Sequence, residues 1–103
     1  MNRINERKLS GGPEKTVTWI WLDGRKELHV ELYDFSETAQ RMFGNDIAYT
    51  ITVHEMMKVF SLTKQTEASL IQWMAENFHS YFGIKKWLED NEITYDIERE
   101  NWA

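Results

Sequence analysis

The chain has 103 residues, of which 42% are hydrophobic and 14% aromatic, and its 12 basic and 17 acidic side chains give a net charge of −5. A single domain of this length can bury a core of its own. Because the chain contains no cysteine, disulfides, thiolate nucleophiles and cysteine-based zinc sites are excluded. No stretch approaches the roughly 20 apolar residues of a membrane helix, and the N-terminus lacks a signal-peptide pattern. We therefore expect a soluble, cytoplasmic protein without a membrane partner.

The charge is unevenly distributed along the chain. Residues 1–15 hold four basic and two acidic side chains, a balance of +2, so the remaining residues carry −7. Six acidic residues lie between Glu89 and Glu100, with Arg99 as the only basic residue among them. An acidic body repels the phosphates of nucleic acid and attracts basic proteins. The composition therefore favours a basic protein partner and predicts no nucleic-acid binding.

The N-terminal segment, residues 1–15, is polar and contains the stretch Ser10-Gly11-Gly12-Pro13. It shows no hydrophobic periodicity that could bury one face. We predict a flexible N-terminal arm here and a single α+β domain over residues 16–103.

Apolar and polar residues alternate from residue 16 to residue 33 around Asp23-Gly24, a dipeptide typical of a two-residue type I′ hairpin turn. Such a turn fixes the register of the two strands and places Trp19 opposite Leu28. We predict that Trp19 lies in the core. Trp21 is closer to the turn, at the margin of the sheet, and is a candidate for contact with a partner.

The next elements alternate between helix and strand. A capping pattern at residues 34–37 predicts a short helix that Gly44 ends. Residues 47–53 alternate between apolar and polar side chains and predict a third strand. A second capping pattern, at residues 52–55, predicts that this strand leads directly into a helix.

An amphipathic pattern from Thr66 to Gly83 predicts the longest helix of the chain. Residues 93–97 alternate again and predict a last strand with an acidic solvent face. The order is close to ββαβααβ. We therefore predict a small α+β domain with an antiparallel sheet of about four strands, opened by an N-terminal β-hairpin, with helices packed on one face.

The sequence contains few residues suited to catalysis at neutral pH. The stretch His54-Glu55-Met56-Met57-Lys58 has a lysine where a metalloprotease helix needs its second histidine, so it predicts no zinc site. The serines have no Gly-x-Ser-x-Gly context, and no glycine precedes a Lys-Ser or Lys-Thr pair. We therefore assign no catalytic residue, metal or cofactor.

The function predicted first is a non-catalytic protein-binding module of the bacterial immunity-protein, antitoxin or inhibitor type. Its acidic surface would cover a basic protein partner, and tryptophans would anchor the interface. The residues assigned to this surface are Trp21, Trp73, Glu92, Asp96, Glu98 and Trp102.

Two alternatives remain open at this stage. One is a small enzyme or ligand-binding protein that uses His29, His54 or carboxylates in a pocket beneath the long helix. The other is a self-associating structural subunit, for example a homodimer, with Ile20, Trp21 and Leu22 at its seam.

Overall fold

The fold, in a computed structural model that describes residues 3–44 and 46–102, is an antiparallel sheet with helices. Five strands follow one another in the sheet in the order of the chain. The predicted α+β class, with its antiparallel sheet and β-hairpin, is confirmed, although the sheet has five strands rather than about four. The elements are β1 (Ile4–Leu9), β2 (Thr16–Leu22), β3 (Leu28–Asp34), α1 (Glu37–Phe43), β4 (Asp46–Val53), α2 (Met56–Thr63), α3 (Leu70–Asn77), α4 (Tyr81–Asp90) and β5 (Asp96–Trp102).

The core lies between one face of the sheet and the helices α2, α3 and α4. Alternate residues of the central strands supply its sheet side, since successive side chains of a strand point to opposite faces. Each helix supplies side chains spaced three or four residues apart. Burial of each such aliphatic side chain stabilises the fold by roughly 1.5–3 kcal/mol. The core includes Ile20, Leu22, Leu28, Val30, Ile51, Val53, Val59, Leu70, Met74, Ile84 and Leu88.

The register of the β2–β3 hairpin differs from the predicted one by three residues. Trp19 pairs with Glu31 rather than with Leu28. The strands are joined by a five-residue loop, residues 23–27, because the Asp23 carboxylate accepts hydrogen bonds from the backbone N–H groups of Arg25 and Glu27 at 2.8 and 3.1 Å. Such a side-chain bond replaces the tight turn that the sequence also allows.

This shift exchanges the two faces of β2 and leaves those of β3 as predicted, because an odd slip moves every side chain of one strand to the other side of the sheet. Ile20 and Leu22 are buried in the core, so the predicted core position of Trp19 is wrong and this residue is half-buried on the opposite face. Trp21 is also on the opposite face, and its exposed fraction is 2%. With Ile20, Trp21 and Leu22 all buried, the proposed dimer seam is not an exposed apolar patch.

The structure corrects the expectation that residues 1–15 form a flexible arm. The segment Ile4–Leu9 is strand β1, which pairs antiparallel with β2 and ends in the buried Leu9. Two residues after β1, the Gly11 N–H donates to the carbonyl of His79 at 2.8 Å. A Cβ at Gly11 would lie 2.7 Å from the His79 Cβ. Polar edge strands carry no hydrophobic period, so the pattern was not visible in the sequence.

The predicted long helix over residues 66–83 is two helices, α3 and α4. The backbone becomes extended at Phe78, with φ −129° and ψ 147°. The second helix starts at Tyr81, whose N–H donates to the buried Thr18 hydroxyl at 2.9 Å. The start of the second helix is therefore tied to β2 by a contact between residues 63 positions apart in the chain.

Candidate functional site

The sheet has a second surface, on the side away from α2, α3 and α4, which we call the open face. Directly opposite residues of antiparallel strands point to the same face, so the pairing defines its rows. One row crosses β2 to β5 as Trp19, Glu31, Thr50 and Glu98, and the next as Trp21, His29, Thr52 and Asp96.

A shallow cavity of about 290 Å³ lies on the open face. It forms because the short side chains of Thr50 and Thr52 on β4 lie between longer side chains on β3 and β5. Half of its lining residues carry a charge. The lining residues are Arg3, Trp21, His29, Glu31, Thr50, Thr52, Glu98 and Glu100.

Trp21 lies at the floor of this surface, covered by other groups. The Arg3 guanidinium carbon lies 3.7 Å from the centroid of its ring, a cation–π contact. The His29 ring stacks on Trp21, with 5.3 Å between centroids and an interplanar angle of 9°. The buried indole N–H has no hydrogen-bond partner among the described residues. Trp21 therefore supports a bound guanidinium, which in this structure belongs to the chain itself.

His29 is held between two polar side chains. Its Nε2 lies 2.6 Å from the Asp23 carboxylate, and its Nδ1 lies 3.1 Å from the Thr52 hydroxyl. Burial raises the pKa of Asp23, but the hydrogen bonds from His29, Glu27 and Arg25 outweigh it and hold the pKa below 3.8. Because an ionised carboxylate only accepts, Nε2 is the donor. These contacts give each ring nitrogen of the buried His29 a hydrogen-bond partner and hold the hairpin loop against β3 and β4.

Glu31 is the half-buried carboxylate at the centre of the open face. Burial raises its pKa above the ordinary value of 4.5. Arg3, whose Nη2 lies 3.6 Å from the carboxylate, lowers the pKa, while Glu100 and Glu6 raise it further. Arg3 only partly compensates the negative charge that is concentrated around Glu31.

His54, directly after β4, connects two acidic residues beside the open face. Its Nδ1 lies 2.6 Å from the Glu27 carboxylate and its Nε2 lies 3.0 Å from the Asp96 carboxylate. The hydrogen bond with Glu27, followed by that with Asp96, raises the pKa of His54 above 6.5. The histidine therefore links the hairpin loop to the start of β5.

Three of the six predicted partner-binding residues lie together on the open face. They are Trp21, Asp96 and Glu98. Glu92 is exposed in the loop between α4 and β5, where its carbonyl accepts a hydrogen bond from Lys58 at 2.8 Å.

Of the other two predicted residues, Trp73 does not join this surface. Trp73 packs on the helix side of the sheet, with ring centroids 5.9 Å from Phe78 and 6.2 Å from Trp87. The side chain of Trp102 is outside the described part of the chain. Trp73 is therefore separated from the open face by the sheet.

Four charged or titratable residues of the cavity lining were not predicted as partner-binding, namely Arg3, His29, Glu31 and Glu100. Glu31 and Glu100 could have been found from strand alternation alone, since Glu31 alternates with the buried Val30 and Leu32, and Glu100 follows Asp96 and Glu98 at intervals of two. Arg3 carries no such signal, because its segment lacks a hydrophobic period. Only the pairing of β1 with β2 brings it over Trp21.

A second depression, which we call the α4 groove, has a volume of about 470 Å³ and lies on the helix side of the sheet. Its lining contains no histidine among the residues that the structure describes, since His29 and His54 lie toward the open face. The groove does contain the carboxylate of Asp34, so the alternative of a small enzyme or ligand-binding protein that uses His or carboxylate residues stays a prediction. The groove is lined by Leu32, Asp34, Tyr49, Tyr81, Phe82, Lys85 and Ile97.

The fold and the open face together define a small antiparallel α+β domain with an acidic sheet surface free of α2, α3 and α4. Comparison of the chain with protein-family models, with curated proteins and with solved structures finds no match. Over residues 3–44 and 46–102, no helix has the length and apolarity needed to cross a membrane. Within the same residues, no group of three or more His, Asp or Glu side chains is placed to hold a metal ion.

Proposed function

We propose that the protein is a non-catalytic cytoplasmic module, of the bacterial immunity-protein, antitoxin or inhibitor type, that binds a basic protein on its open face. The observation that carries this proposal is the set of four carboxylates that share this face. Three of them, Asp96, Glu98 and Glu100, are exposed on β5, and the fourth, Glu31, is half-buried beside them.

The electrostatics of Glu31 favour a cationic partner. Burial and the neighbouring Glu100 and Glu6 raise its pKa, so the ionised form lies in an unfavourable environment that Arg3 relieves only in part. A lysine or arginine of a partner would stabilise the ionised carboxylate. Charges of this kind also accelerate the encounter with a basic protein.

The contacts of Arg3 support arginine as the group that the partner presents. Its guanidinium lies over the Trp21 ring and within 3.6 Å of the Glu31 carboxylate. A planar guanidinium can stack on an indole and bond a carboxylate at the same time, whereas a lysine ammonium is a point charge. A partner arginine would make the same pair of contacts if it displaced Arg3.

The test compares the full chain with two triple variants that both change the net charge from −5 to −2. The open-face variant is Asp96→Asn, Glu98→Gln, Glu100→Gln. The control variant neutralises the exposed Glu14, Glu37 and Glu76, none of which takes part in the open-face rows. Each tagged protein is used to capture partners from a lysate of the source cells, at about 0.05 M and about 0.5 M salt.

We expect a strongly basic protein to be captured by the wild type and by the control variant at low salt. It should be lost from the open-face variant, and also at high salt, where charges are screened over about 3–5 Å. Equal capture by both variants would contradict the proposed site. Equal loss from both would show a net-charge effect without a specific face, and would also contradict it.

A further inference from the structure

We infer that, given the proposed function, the partner binds as an added β-strand along the outer edge of β5. The segment that binds would alternate basic and apolar residues. Addition of an extended segment to a free sheet edge is a common mode of peptide recognition, in which backbone hydrogen bonds give affinity and alternate side chains give specificity.

The edge formed by β5 is regular, unlike the opposite edge of the sheet. β5 pairs with β4 over seven consecutive residue pairs without a shift in register. At the other edge, β1 has an irregularity between Ile4 and Arg7, and Asn5 has a left-handed φ of 58°. Bulges protect an edge from pairing, whereas a regular edge offers its backbone groups to an incoming strand. Of the two edges, β5 is therefore the one suited to strand addition.

The two sides of β5 differ in chemistry. Asp96, Glu98 and Glu100 point to the open face, while Ile97 lies on the helix side and is 45% exposed. Beside Ile97, the exposed Phe82 lines the same α4 groove, and its exposed fraction is 48%. An added strand also alternates between the two faces. Its open-face residues would meet carboxylates, and on the other side its residue beside Ile97 would meet the apolar side chains of Ile97 and Phe82, with Arg99 next along β5.

A second copy of the chain is a poor occupant of this edge. In a symmetric pair of β5 strands, each side chain keeps its own face, so acidic residues must lie opposite acidic residues. Pairing centred on Glu98, for example, places Glu98 against Glu98 and Asp96 against Glu100. Like charges directly opposite each other destabilise a strand pair. The edge therefore selects a basic strand and disfavours its own.

The test uses two capped heptapeptides as probes, each with four arginines and three valines. One alternates the two residues, and the other has the arginines and valines in separate blocks. Both are titrated into the ¹⁵N-labelled full chain, at concentrations where the free peptides do not self-associate. Backbone amide shifts and amide hydrogen exchange are measured. We expect the alternating peptide to bind about tenfold more tightly and to slow exchange of amides in β5, because only its pattern fits both sides of the edge.

Substitutions on the helix side provide an independent measurement. Phe82→Gln should reduce binding of the alternating peptide to the level of the block peptide. Leu62→Gln on α2, at a residue of similar exposure outside the α4 groove, should leave binding unchanged. The acidic side of β5 is intact in both variants, so a difference between them isolates the apolar side of the added strand.

The outcomes separate the strand geometry from the proposed function. If both peptides bind equally, with shifts at the open-face acids, strand addition is overturned while the proposed function stands. If shifts map away from both β5 and the open face, both are overturned. Exchange protection of β5 that depends on protein concentration without peptide would overturn the inference in favour of a second copy.

Discussion

Two glycines provide a matched test of the hairpin loop that builds the open face. Gly24 lies in the five-residue loop, and Gly44 ends α1. A Cβ added at either residue meets no atom within 4 Å, but Gly44 has a φ of +75° whereas Gly24 is outside the left-handed region. The same substitution to alanine therefore differs only in backbone conformation.

Gly24→Ala should stabilise the protein by about 0.4–1 kcal/mol, because alanine restricts the unfolded chain and the folded loop accepts it without strain. Gly44→Ala gains the same amount in the unfolded state but incurs roughly 1–2 kcal/mol of left-handed strain, a net loss of about 1 kcal/mol. For a domain of this size, 1 kcal/mol corresponds to about 4–8 °C in Tm. The two variants should move the Tm in opposite directions.

Urea titration and thermal melting of both variants beside the wild type measure these changes. A two-residue type I′ turn at Asp23-Gly24 would need a positive φ at Gly24, so alanine there would cost more than about 1 kcal/mol. Destabilisation by Gly24→Ala similar to that by Gly44→Ala would refute the five-residue loop. It would also restore the predicted register, which places Trp21 on the same face as Leu28 and so removes it from the open face.

Three further substitutions test the edge strand and the charged groups. Leu9→Ala should lower the free energy of unfolding in urea by about 2–4 kcal/mol, since Leu9 is buried, and unchanged stability would return residues 1–15 to a flexible arm. Because burial raises the pKa of Glu31, Glu31→Gln should be more stable than wild type at pH 7. The difference in free energy of unfolding should shrink as the pH falls through the raised pKa and vanish below 4.5. A difference that does not change with pH would contradict this. Since hydrogen bonds with Glu27 and Asp96 raise the pKa of His54, His54→Gln should be less stable than wild type below pH 6.5, with a difference that disappears as the pH rises through the folded-state pKa. Equal loss at high and low pH would show that the charge of His54 is not the cause.

Strand alternation predicted the type and approximate position of β3 and β4, because each of these strands buries one face. It predicted the last strand over residues 93–97, whereas β5 begins later, at Asp96, and residues 96–100 are exposed. It could not predict the hairpin register. Asp23-Gly24 fits a two-residue turn, but the same aspartate closes a five-residue loop by accepting two backbone N–H groups. Local sequence allows both, and the burial of Ile20 and Leu22 against the helices decides between them. The choice is made by tertiary packing, which a local pattern does not contain.

The candidate site was predictable to a similar extent. Asp96 and Glu98 were found because alternation in β5 separates them from Ile97. Arg3 and Glu31 were not, because they meet only after β1 pairs with β2 and β2 pairs with β3 in the observed register. A surface formed by several strands depends on the pairing register of each neighbouring strand pair. One wrongly predicted hairpin turn therefore assigns residues to the wrong face.

The environment of Glu31 distinguishes the open face from an ordinary solvated surface. A carboxylate kept only for solubility can be exposed, as Glu37 is, without an energetic cost. Glu31 is instead half-buried among acidic neighbours, an arrangement that raises its pKa and destabilises the folded chain at neutral pH. Residues that are unfavourable for folding in their local environment are expected at binding sites. Under the proposed function, a cation placed over this carboxylate would remove the cost, so this unfavourable energy of the free chain would contribute to affinity for a basic partner.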